Sequence, residues 1–252
     1  MRLQIANRVF APRLWAAVAT AVMLAVFVAL GAWQIDRGRS KQALIAAFER
    51  GQQATTVLGG GSVDALPRYR RVLVAGHYDP TRQILLDNMP SKDGLPGYRV
   101  LTPLVRSGSA RLLLVDRGWV PLGESRAVLP EVRVDTAERT VTGRLDELPA
   151  PGVRIGEAGV AGDAVWPRVL NFPRQADVEQ ALLTPVESRI LLLDPQLPDG
   201  YERVWHPALG FGPERHLGYA LQWFAFAVVL LVIFIALSLE SAAPANEAPD
   251  RR

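Results

Sequence analysis

Leu14 to Ile35 reads LWAAVATAVMLAVFVALGAWQI, and Leu217 to Leu239 reads LGYALQWFAFAVVLLVIFIALSL; neither stretch holds a charged residue. Each exceeds the roughly 20 residues an α-helix needs to cross a bilayer hydrocarbon core. Between them lie Asp36 to His216, enough for one folded domain of about 100–200 residues. The plan read from these two stretches is helix, domain, helix. With two spans, both termini share one side of the membrane and the domain lies on the other.

The 252 residues, 49% of them hydrophobic, allow one domain with a true core besides the anchors. The net charge of +3 is small and its arginines are scattered, which argues against nucleic acid as a partner. Basic residues beside the apolar runs fit headgroup anchoring to membrane lipid instead. Cysteine is absent, which removes disulfides, thiolate nucleophiles and CxxC metal or redox chemistry. The methionines, Met1, Met23 and Met89, are too few for a Met-rich copper site.

Arg2, Arg8 and Arg13 precede the first run like the basic region of a signal sequence. The apolar stretch is too long for a typical cleaved signal, and it leads into Gly31-Ala32-Trp33-Gln34 without a small-residue cleavage pattern. An uncleaved anchor is expected. Basic flanks lean towards cytoplasmic termini and an exported domain. The expected segments are a cytoplasmic 1–13, a first span at 14–35, a β-rich domain at 36–216, a second span at 217–239 and a disordered tail at 240–252.

The first helix is expected to continue through Ser40–Arg50, where Leu44, Ala47 and Phe48 share one face. Gly59-Gly60-Gly61-Ser62 marks a loop. Short runs rich in Val, Leu or Ile and closed by turn residues predict strands over 71–78, 83–88, 98–106, 111–116, 139–145, 189–194 and 201–206. Pro103 inside one run predicts an edge or a bulge. Arg106-Ser107-Gly108-Ser109 reads as a hairpin connection, and Asp177 to Leu183 as a short helix with Asp177 as its N-cap. The expected fold is α+β: two transmembrane helices flanking a β-rich, largely antiparallel soluble domain.

No Gly-x-Ser-x-Gly elbow or His-Glu-x-x-His motif occurs, and His77, His206 and His216 are not at ligand-pair spacing. No nucleophile–base pair is visible, so a non-enzyme is expected. Asp87, Asp116 and Asp194 end apolar strands, where aspartates usually cap turns. The membrane boundaries carry more. His216, Tyr219 and Trp223 fall at i, i+3 and i+7, with Ala220 one turn beyond His216, where a small side chain lets a flat ligand approach the backbone. The two readings are an interfacial aromatic belt and an imidazole ligand for haem iron beside stacking surfaces. Trp33 and Arg37 lie one turn apart where the first helix emerges. Arg37 either snorkels to headgroups or pairs with an acidic ligand group such as a haem propionate.

Four ordered blocks carry a resemblance. Leu30-Gly31-Ala32-Trp33-Gln34 with Arg37 resembles the first-helix signature of the Surfeit locus protein 1 family. Gly97-Tyr98-Arg99-Val100-Leu101-Thr102-Pro103-Leu104 and Leu114-Val115-Asp116-Arg117-Gly118-Trp119-Val120-Pro121 resemble its two central blocks, and His216-Leu217-Gly218-Tyr219-Ala220-Leu221-Gln222-Trp223-Phe224 its second-helix block. The resemblance covers about residues 14 to 239. It implies an assembly factor for haem–copper cytochrome c oxidase that binds or hands over haem a during insertion into the catalytic subunit. The alternative is a scaffold that stabilises that subunit without touching haem. It further implies a bacterial cytoplasmic (inner) membrane location with a periplasmic domain, and partnership with the catalytic subunit and haem a synthase. His216 matches the family histidine associated with haem binding, making it the candidate iron ligand. Tyr219, Trp223, Arg37 and Trp33 complete the expected cofactor site. Asn88-Met89 departs from the Asn-Arg common in relatives. Asp116-Arg117-Gly118-Trp119 reads either as a partner-docking surface or as a structural turn.

Overall fold

The computed structural model describes residues 3–5, 8–51, 53–123, 125–151, 165–207 and 210–241. In chain order its elements are β1 (Leu3–Ile5), β2 (Arg8–Phe10), α1 (Leu14–Arg50), β3 (Thr55–Leu58), β4 (Arg71–Tyr78), β5 (Ile84–Leu86), β6 (Gly97–Val105), β7 (Leu112–Pro121), β8 (Arg139–Asp146), β9 (Arg168–Leu170), α2 (Gln175–Leu182), β10 (Val186–Leu193), α3 (Pro213–Ser238) and β11 (Leu239–Ser241). They divide into two units, Met1–Leu44 with Ala208–Arg252, and Ile45–Pro207. Most of the tail expected to be disordered lies outside the described residues.

The first unit is built on two long helices. Residues 14–35 contain no proline, and their Ala, Leu and Val sustain helix in an apolar solvent, where the backbone must satisfy its own hydrogen bonds. α3 starts cleanly because Pro213 follows Gly212 at the first helical position. Both helices are long and apolar enough to cross a membrane, and only 6% and 11% of their most apolar windows are buried. Surfaces so apolar and so open belong to lipid, and this is a membrane protein. At their far ends β2 pairs with β1 and β11, and Ala11 N donates to Ser238 O.

The second unit is a closed barrel. β4, β8, β10, β7 and β6 are neighbours in that order, and β4 returns to β6 through His77↔Val105 and Tyr78↔Leu104. All five strands send side chains to one core, among them Val72, Tyr78, Leu104, Leu113, Val141 and Leu191. The opposite faces of β7 and β10 present Leu112, Leu114, Ile190 and Leu192, which pack with Val178, Ala181 and Leu182 of α2. Closure requires close backbones: a Cβ on Gly76 would strike the carbonyl of Val105, and one on Gly143 the carbonyl of Leu192. β3 adds to β4, while β5 and β9 extend outward from β6.

Most expected strands are present, and pairing is largely antiparallel, with β3–β4, β5–β9 and β7–β10 parallel. Residues 201–206 differ, contributing only the isolated bridge Trp119↔Glu202. β7 runs on through Arg117, Gly118 and Trp119, so Asp116 lies inside a strand rather than at its end. Pro103 is neither on an edge nor in the bulge. On that side of β6, pairing with β5 stops at Leu101 and pairing with β4 begins at Leu104. A missing N–H costs nothing between the two. The bulge is nearby, between Arg99 and Leu101. α2 is capped by Arg174, not by Asp177. Asp177 sits at N3, and its carboxylate accepts from Arg174 N at 2.7 Å.

Candidate functional site

On α1, Gly31, Gln34 and Gly38 recur at i, i+3 and i+7, so they form one stripe. On α3 the matching stripe is His216, Ala220, Trp223 and Ala227. The two stripes face each other. Gly31 is buried with no room for a side chain, since a Cβ would lie 2.7 Å from the Phe224 ring. Gly38 lies over His216, whose Cβ is 3.5 Å from where a Gly38 Cβ would be. Small residues here let the backbones approach, as membrane helix pairs require.

That approach brings the imidazole of His216 to Gln34, with Nδ1 2.8 Å from Oε1. An amide oxygen can only accept, so with this amide orientation Nδ1 carries the proton. Neutral imidazole then has its lone pair on Nε2, which has no hydrogen-bond partner among the described residues. The half-buried ring is thus held in one tautomer by a residue on the facing helix.

The other expected residues separate into two groups. Trp33 and Tyr219 are about half exposed, at 51% and 49%. The guanidinium of Arg37 stacks along its own helix over Trp33, 5.7 Å from the ring centroid. Trp33 and Arg37 stand one residue, about 100° of helix, from the stripe that meets α3. Trp223, by contrast, packs on Phe27 and Phe226 at 5.8 and 5.9 Å. It belongs to the helix packing. Ala220 is also filled over by that packing, at 1% exposure, which corrects the expectation that it leaves space for a flat ligand. The open small residue is Gly218, whose Cβ would meet nothing within 4 Å.

Sequence reading missed Gln34 and Gly38 as partners of His216. The available signal was their shared stripe with Gly31, which identifies the face of α1 that meets a neighbour.

The polar residues of β7 resolve as structure. Arg117 is 2% exposed, and its guanidinium donates to Gln83 Oε1, Thr102 Oγ1 and the carbonyls of Val132, Arg133 and Asp199. Asp116 is fully buried, ion-paired with Arg99, and accepts from Gly118 N at 3.0 Å. Burial pushes its carboxyl up, against the pull of Arg99. Trp119 Nε1 donates to Met89 O at 2.7 Å. These contacts point inward, so Asp116 and Arg117 serve structure, within a strand rather than in the expected turn.

The family model described as the SURF1 family matches residues 21–228. A SURF1-like protein of Rickettsia conorii is 24% identical over 221 residues, covering 85% of this chain and 87% of its own length. A SURF1-like protein of Rickettsia felis is 23% identical over 225 residues, covering 85% and 92%. The cytochrome oxidase assembly protein SHY1 of Saccharomyces cerevisiae is 28% identical over 102 residues, covering 36% of this chain and 24% of its own. The match takes in the Gln34–His216 helix pair and the whole barrel, and the chain belongs to the SURF1 family.

Proposed function

We propose that this protein acts in cytochrome oxidase assembly, holding or passing on haem a at the helix ends around His216 during insertion into the catalytic subunit. The observation that carries the reading is the Nδ1···Oε1 contact of 2.8 Å between His216 and Gln34. Histidines that ligate metals almost always donate their other ring N–H to a fixed acceptor, which sets the tautomer and ring plane. Gln34 is that acceptor here, leaving Nε2 for iron. Trp33 and Tyr219 supply half-exposed aromatic surface beside the helix ends, and Arg37 supplies a cation for an acidic edge group. Haem a, when bound, would supply an iron centre able to take an imidazole nitrogen as ligand. The protein's own contribution is to hold the imidazole, stack and exclude water.

The name of the yeast relative supports the oxidase-assembly setting. The setting extends to a bacterial cytoplasmic membrane, with cytoplasmic termini and a periplasmic barrel, on the strength of the arginines that precede the first span. The partners are the catalytic subunit and, as the source of haem, haem a synthase. A scaffold that stabilises the subunit without binding haem is the second reading. It is favoured by the consumption of Trp223 and Ala220 in helix packing, which leaves only a rim of side chains open.

The test is co-expression with the haem a biosynthetic pathway, with haem content of the purified protein and restored oxidase activity measured in parallel. Haem a copurifying with the wild type, and depleted in His216→Ala, supports the first reading. Full restoration of oxidase by a protein that never carries haem establishes the scaffold.

A further inference from the structure

Beyond the helix ends, the barrel carries a polar cleft of about 250 Å³ bounded by Arg71, Arg144, Leu192, Asp194, Gln196 and Trp205. Its floor is a row across three strands: Arg71 of β4 is the direct partner of Arg144 on β8, and Arg144 lies beside Leu192 of β10. Two like charges directly opposite each other on antiparallel strands are destabilising. One carboxylate stands nearby, Asp194, and it is taken by Arg71. The side chain of Arg144 makes no ion pair or hydrogen bond among the described residues. Its Nη1 is shielded from solvent without an acceptor, and its charged plane lies over the Phe48 ring at 4.0 Å. Such a group is costly to leave unsatisfied. Burial and the neighbouring charge of Arg71 both pull the Arg144 guanidinium down from its usual range. Trp205 is fixed by its Nε1 bond to Leu193 O at 2.7 Å, with Arg99 over its ring.

We infer that this cleft is an anion site for a monocarboxylate, with Arg144 as the principal partner, Arg71 as the second cation and Trp205 as a flat wall. The balance of charge selects the class. Among the described residues that line the cleft, two guanidiniums and one carboxylate leave one positive charge, which a single carboxylate neutralises; the Arg203 guanidinium outside the lining is already held by the carbonyls of Asp194, Pro195 and Leu197. Phosphate brings a second negative charge towards Asp194 and is disfavoured. The small volume limits what enters to a carboxylate group with a short or flat substituent, borne by a small acid or by the side chain of a partner polypeptide.

The probe is benzoate, titrated into the full chain in detergent by calorimetry at neutral pH. Saturable binding is expected, weakened about tenfold or more in Arg144→Gln, because a charge-assisted hydrogen bond to a guanidinium is lost. Asp194→Asn is expected to bind benzoate several-fold more tightly, since it frees Arg71 and removes a competing carboxylate. A purely structural role for these residues would not produce that opposite sign. Thermal unfolding of each variant checks that the barrel is intact. Absence of saturable binding by the wild type, unchanged affinity in Arg144→Gln, or weaker binding in Asp194→Asn overturns the inference. Inorganic phosphate binding more tightly than benzoate also overturns the monocarboxylate assignment. Competition by an N-acetylated, C-amidated peptide carrying a single Asp, but not by its Asn counterpart, identifies a polypeptide side chain as an able source. Competition by free acids alone identifies a small ligand.

Discussion

Glu187 is the residue whose loss the barrel should tolerate least. Its carboxylate and the Arg106 guanidinium form an ion pair with both side chains 1% exposed. Glu187 also accepts from Ser62 Oγ at 3.0 Å and Val63 N at 3.3 Å, and Arg106 donates to the carbonyls of Gly59 and Gly61 at 3.0 Å each. The pair therefore pins the glycine-rich loop 59–63 to β10. Replacing Glu187 by Ala strands a buried guanidinium and two donors together. Breaking a buried pair on one side costs about 3–5 kcal/mol, a large part of the roughly 5–15 kcal/mol that stabilises a typical domain. At about 2–4 °C per kcal/mol for a domain of this size, the midpoint falls by about 6–20 °C. The assay is thermal unfolding of the detergent-solubilised chain, followed by near-ultraviolet circular dichroism of the barrel tryptophans. The companion Arg106→Met/Glu187→Leu removes both charges and should recover a substantial part of the loss. A cost below about 1 kcal/mol for Glu187→Ala, or a double variant worse than the single, would show that this buried pair does not hold the loop to the barrel.

Arg117→Lys should destabilise nearly as much as Arg117→Met, by about 3 kcal/mol or more, because an ammonium cannot reach the five acceptors the planar fork serves; urea unfolding measures it. Burial pushes the Tyr78 phenol up to about 12, against the pull of Arg117 and Arg139. Unfolded chain releases that proton near 10 and folded chain later, so folding holds more protons in between and this contribution is lost as pH rises from about 10 to 12. Tyr78→Phe should remove roughly 2–3 kcal/mol of pH dependence across that window, read from unfolding at successive alkaline pH values. Gly31→Val should prise α1 from α3, because even a Cβ lies 2.7 Å from the Phe224 ring. With cysteines placed at 27 and 223 in this cysteine-free chain, whose native rings pack together, a short bis-maleimide should bridge the two helices with Gly31 and do so severalfold less with Gly31→Val.

The helices were legible because membrane-length apolar runs have few other uses, and the extension to Arg50 followed from the Leu44–Phe48 stripe. The strands around 71–78 and 139–145 were legible from short runs rich in Val or Leu closed by turn residues. Barrel closure was not. It rests on the two residue pairs between β4 and β6 and on the close approaches at Gly76 and Gly143, none of which leaves a local pattern. Tyr201–His206 has the composition of a strand but finds only one bridge: Tyr201 N donates to Arg117 O, the Arg203 side chain to the carbonyls of Asp194 and Leu197, and Trp205 Nε1 to Leu193 O. At the helix ends, His216 stood out by type and position, whereas Gln34 looked like an ordinary boundary polar residue. Its importance appears only when the glycine stripe shows which face of α1 meets α3. Trp223 and Ala220 are engaged in helix packing for the same reason: a stripe that can face a ligand can equally face a helix.

The most direct test of the central claim is the optical spectrum and haem content of protein purified from cells making haem a, compared among wild type, His216→Ala and Gln34→Leu. A haem a spectrum is expected for the wild type, with loss of most of the haem in His216→Ala and, in Gln34→Leu, a weakened complex with shifted bands, since the imidazole is still present but no longer held. An unchanged spectrum and content in His216→Ala would contradict the claim.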